Sequence, residues 1–67
     1  MKNRVKELCI EKGISTPNEF ALKVGIGVNM ATAIWNQEAI IEFNLIEHLT
    51  NFFGCSTAYL LCVNEEK

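Results

Sequence analysis

Apolar side chains recur at three- and four-residue spacing along most of the chain, and the gaps between these runs hold glycines or capping residues. The first run predicts a helix from about Lys2 to Lys12, with Val5, Leu8 and Cys9 on one face and Gly13 as its stop. Next comes Thr16-Pro17-Asn18-Glu19. Thr16 can cap a helix, Pro17 fits the first helical position, and Glu19 completes a capping box. A second helix is therefore expected over about 17–24, burying Phe20, Ala21 and Val24 and ending at Gly25. A third is expected over about 28–36. At 100° per residue, Ala31, Met30, Ile34 and Trp35 share its inner side, while Asn29, Thr32, Ala33 and Asn36 share the outer side. A fourth runs from about Phe43 to Phe53, burying Ile46, Leu49 and Phe53, and stops at Gly54. A short fifth follows Ser56 and includes Leu60 and Leu61. No strand pattern competes with these elements, although Cys62–Glu65 has the composition of an extended end. The expected fold is all-α, with five short helices in one domain.

Composition supports a packed core and limits the chemistry. Apolar residues make up 49% of the 67 positions, enough to exclude a disordered chain of this length. Charge is unevenly placed. Residues 1–23 hold Lys2, Arg4, Lys6, Lys12 and Lys23 against Glu7, Glu11 and Glu19, a net of +2. Residues 24–67 hold only Lys67 against Glu38, Glu42, Glu47, Glu65 and Glu66, a net of −4. Cys9, Cys55 and Cys62 are odd in number and lack paired C-x-x-C spacing, and His48 is the only histidine. With no signal peptide and no long apolar run, the expectation is a reduced, soluble, cytoplasmic protein with free thiols. No phosphate loop, dinucleotide fingerprint, metal set or nucleophile–base pair is present, so neither a cofactor nor an enzymatic activity is expected.

Two short helices joined at a glycine, PNEFALKVGIGVNMATAIW, have helix-turn-helix spacing. Ala21 permits close helix approach, Gly25 makes the turn, and Ile26 plugs the corner. The segments RVKELCIEKGIS, FALKVGI, ATAIWN, IEFNLIEHL and FFGCSTAYLL follow in order. Together they resemble the Cro/repressor-type (Xre-like) helix-turn-helix family from Arg4 to about Val63. The resemblance implies a five-helix repressor-like domain, with the third helix in the major groove of double-stranded DNA and the start of the second on phosphate. It also implies transcriptional control, commonly by a dimer.

This chain departs from the family pattern in its charge. Where the third helix commonly begins with a hydroxyl residue it has Gly27, and a frequent arginine corresponds to Ala33. Asn29, Thr32 and Asn36, with Gln37 just beyond, are left as base-edge candidates. Asn and Gln suit adenine, and Thr suits a base edge or a thymine methyl. Thr16, Asn18, Lys23 and Gly27 are the candidate phosphate contacts, joined by some of Lys2, Arg4 and Lys6. Affinity is therefore expected to be weak or dependent on assembly. Ile10, Leu22, Leu45, Phe52, Tyr59 and Val63 fall outside the assigned core faces, and a homodimer through Tyr59, Cys62 and Val63 is expected. The alternative is a helix-turn-helix fold that serves as a protein-interaction module, such as an antirepressor, antitoxin or accessory subunit, with little DNA binding.

Overall fold

A computed structural model describes residues 2–67 as five helices: α1 (Val5–Glu11), α2 (Pro17–Val24), α3 (Val28–Trp35), α4 (Phe43–Phe53) and α5 (Thr57–Leu60). No strand occurs among the described residues, the Cys62–Glu65 end included.

The first helix begins later than its apolar pattern suggests. Asn3 is buried, 6% exposed, and its Oδ1 accepts the Val5 N–H at 2.9 Å. That bond forms a side-chain-closed turn, leaving Arg4 as the N-cap and residues 2–4 outside the helix. The second helix opens at Thr16, whose Oγ1 accepts the Glu19 N–H at 3.2 Å, with Pro17 in its first turn. The return arm of the capping box lands one residue early. Glu19 reaches the N–H and hydroxyl of Ser15 at 3.4 and 3.3 Å, not the N–H of Thr16.

All five helices end on a left-handed residue. Gly13, Gly25 and Gly54 end α1, α2 and α4, with φ of 81°, 84° and 68°. Gln37 and Cys62 do the same after α3 and α5, each with φ 63°. The bonds are those of a Schellman turn in both cases. Gln37 N–H meets Ile34 O at 3.1 Å and Glu38 N–H meets Ala33 O at 2.8 Å. Likewise Cys62 N–H meets Tyr59 O at 3.1 Å and Val63 N–H meets Ala58 O at 2.7 Å. A left-handed conformation costs a non-glycine residue about 1–2 kcal/mol, so packing must hold these two ends in place.

The core joins Val5, Leu8 and Cys9 of α1 to Phe20, Ala21 and Val24 of α2 and Ala31, Ile34 and Trp35 of α3, closed by Leu49 and Leu60. Phe20 sits at its centre, 6.4 Å from the rings of both Trp35 and Phe53. Two connecting residues, Ile14 and Ile41, are buried as deeply as helical ones. Met30, expected on the inner face, is 47% exposed. It lies about 100° from Ala31, on the side away from Trp35 and at the margin of the buried arc. Ile46, Phe53 and Leu61 are only half-buried, as are Leu45, Phe52 and Tyr59, which were expected outside the core; all six pack against it. Ile10, Leu22 and Val63 are exposed.

Candidate nucleic-acid interface

The α2–α3 unit is built by small residues and one turn. Ala21 and Ala31 are buried, so the two helices approach without intervening bulk. Gly25 adopts the left-handed conformation, and the N–H groups of Gly25 and Ile26 both close on Ala21 O, at 2.8 and 3.1 Å. Ile26 is half-buried against the core beneath this corner. His48 braces the same place from α4, its Nε2 lying 3.0 Å from Val24 O. The carbonyl can only accept, so Nε2 carries the proton and donates, supplying one of the orphan carbonyls at the end of α2. His48 is otherwise exposed.

Held this way, α3 turns Asn29 and Asn36 to solvent, with Thr32 and Ala33 half-buried between them. Helical geometry puts Asn29, Thr32, Ala33 and Asn36 on one continuous arc. Asn29 and Asn36 are seven residues apart, about 10 Å along the axis. Gly27 is the extended N-cap of α3 and offers no side-chain cap, so the first-turn N–H groups are left facing outward. Thr16, Asn18 and Lys23 are exposed along α2 and its cap, although the Thr16 hydroxyl oxygen is already engaged by Glu19 N–H.

Gln37 has a structural task in addition to its position. Its Oε1 accepts the Asn3 N–H at 3.1 Å, while the Asn3 side-chain Nδ2 donates to Ile34 O at 3.2 Å. Asn3 thus links the start of α1 to the C-terminal end of α3. Periodicity does not single it out, because two of its three partners lie more than thirty residues away in the chain.

The cations divide into two groups. Arg4, expected near phosphate, is spent inside the molecule. Its guanidinium stacks 4.4 Å from the Tyr59 ring centre, and its N–H groups donate to Tyr59 O at 2.9 Å and Asn64 O at 3.1 Å. Glu65 approaches it at 3.4 Å. Lys67 pairs with Glu11 at 2.9 Å, and Lys12 lies over the Phe52 ring at 5.3 Å. Among the described residues, Lys2, Lys6 and Lys23 are the exposed cations without such engagements. At the C-terminal end, Tyr59 and Cys62 are half-buried and only Val63, 75% exposed, presents open apolar surface. All three cysteines are free, with Cys9 buried. Burial pushes the Cys9 thiol up from 9.0 to about 12.

The whole arrangement matches one known family. The chain belongs to the Cro/C1-type HTH DNA-binding domain family, which it matches over residues 4–66. Membership makes DNA binding the general activity associated with this helix-turn-helix domain. No curated protein and no solved structure matched the chain. No helix among the described residues is long and apolar enough to cross a membrane.

Proposed function

We propose that the chain is a small transcriptional regulator that reads A·T-rich duplex DNA through α3, with Asn29, Thr32 and Asn36 at base edges. The observation carrying this reading is the outer arc of α3, which presents two exposed amides and a hydroxyl and no cation. Amide side chains pair bidentately with adenine N6 and N7, and Thr and Ala methyls suit the thymine methyl. Guanine, which favours arginine or lysine, finds no such partner on this helix.

Phosphate contacts come from Lys23, Asn18 and Thr16 along α2, and from the outward N–H groups that follow Gly27. Gln37 contributes by setting the end of α3 through Asn3. With so few free cations per subunit, binding depends on assembly, and we assign the working form to a homodimer. Its contact is the C-terminal end, where Val63 is exposed and Tyr59 and Cys62 are half-buried.

Paired substitutions test the assignment. Asn29→Ala should flatten base preference at one or two positions, by about 1–3 kcal/mol each, and leave nonspecific binding intact. Lys23→Ala should weaken every duplex alike and reduce the salt slope by about one. If Asn29→Ala leaves a selected sequence preference unchanged, α3 is not the reading element.

A further inference from the structure

Beside the first turn of α3 the surface opens into an apolar groove of about 480 Å³, lined by Ile26, Gly27, Met30, Ile40, Glu42 and Leu45. Large apolar side chains are exposed along the α3–α4 connection and at the start of α4. Ile40 is 80% exposed and Phe43, at the start of α4, 71% exposed. Apolar surface concentrated in this way marks a contact site more often than a solvated face.

The wall of the groove also specifies charge. Glu42 is one of its lining residues and makes no ion pair among the described residues. Glu38 lies on the same α3–α4 connection, and no lysine or arginine occurs from residue 24 to residue 66. A phosphate set inside the groove itself would meet the negative charge of Glu42, which disfavours DNA as its occupant. A symmetric pair of copies would bring both sets of glutamates to one seam, with the same result.

We infer that this groove docks a basic amphipathic helix of a partner protein, whose apolar residue enters between Met30, Ile40 and Leu45 while a lysine or arginine pairs with Glu42. Apolar anchors supply affinity in such helix-in-groove contacts, and the flanking charge selects the partner. The contact requires no DNA, although Gly27 and Met30 place it beside the first turn of α3.

The test is an NMR titration of the isotope-labelled chain without DNA. The probe is a helical peptide with leucine along one face and lysine along the other, compared with its glutamate counterpart. The lysine peptide should give saturable shifts centred on Gly27, Met30, Ile40, Glu42 and Leu45, and the glutamate peptide should not. Glu42→Lys should weaken the lysine peptide by about tenfold and admit the glutamate one. Ile40→Ser, at an exposed position that leaves the core untouched, should weaken the lysine peptide without altering the protein's own spectrum elsewhere. Equal binding of both peptides, shifts centred on Ile10 or Val63, or no saturable binding would overturn the inference. So would concentration-dependent shifts at the groove in the peptide-free chain, which would assign it to a second copy.

Discussion

Replacing Asn3 by alanine removes the Oδ1 that accepts Val5 N–H at 2.9 Å and the Nδ2 that donates to Ile34 O at 3.2 Å. The two losses are unequal. Ile34 O keeps the N–H of Gln37 at 3.1 Å, so its carbonyl is not orphaned. The Val5 N–H is buried and gains no replacement acceptor, which costs about 1–3 kcal/mol. Loss of the turn that starts α1 acts in the same direction, so Asn3→Ala should destabilise by about 2 kcal/mol. A domain of this size has about 3–10 kcal/mol in total, at roughly 0.05–0.15 kcal/mol per residue. The expected fall in midpoint is about 8–16 °C. Circular dichroism during thermal and urea unfolding measures it. Asn3→Asp separates the two arms, since it keeps the acceptor for Val5 and turns the donor facing Ile34 into another acceptor. A loss below about 0.5 kcal/mol for Asn3→Ala would refute the role given to this residue.

Three further outcomes follow from the same structure. Folded Cys9 holds its proton to about pH 12 whereas an unfolded thiol releases it near 9.0, so its contribution is constant below pH 9 and is lost as pH rises towards 12. Wild-type stability should therefore fall more steeply than that of Cys9→Ala over this window, by up to about 1.4 kcal/mol per pH unit, in urea unfolding at stepped pH. Arg4→Ala should raise the hydrogen-exchange rates of Cys62 and Val63 while leaving duplex affinity unchanged, because that cation is committed to Tyr59 and Asn64; a drop in affinity equal to that of Lys23→Ala would contradict this. Val63→Glu should convert the proposed dimer to monomer in sedimentation, and a variant that still dimerises normally would move the interface elsewhere.

Much of the helical layout is legible from local signals. Thr16 and Pro17 mark the start of α2, Ser56 marks that of α5, and Gly13, Gly25 and Gly54 mark three helix ends, because each acts through backbone geometry next to itself. The other two ends carry no such signal. Gln37 and Cys62 adopt left-handed backbone without being glycine, stabilised by surroundings that sequence order does not display. Asn3 shifts the start of α1 through its own side-chain bond to Val5, and its further bonds to Ile34 and Gln37, distant in the chain, are not displayed by sequence order. Periodicity assigns faces within a helix and is silent on connecting residues, so the burial of Ile14 and Ile41 went unforeseen. The arc of Asn29, Thr32 and Asn36 could be drawn from helical spacing alone. That Arg4 is withdrawn from the surface and that Met30 opens onto a groove could not, because both depend on how distant elements pack.

Selection from a random duplex pool, repeated over a range of salt concentrations, tests the central claim most directly. The account predicts an enriched A·T-rich site with half-sites about one helical turn apart, and a shallow salt dependence. With Lys23 the cation assigned to phosphate in each subunit, the slope of log affinity against log salt should be about −1 for a monomer and about −2 for a dimer. Enrichment of a guanine-centred site, or no enrichment at low salt with the protein fully assembled, would contradict it.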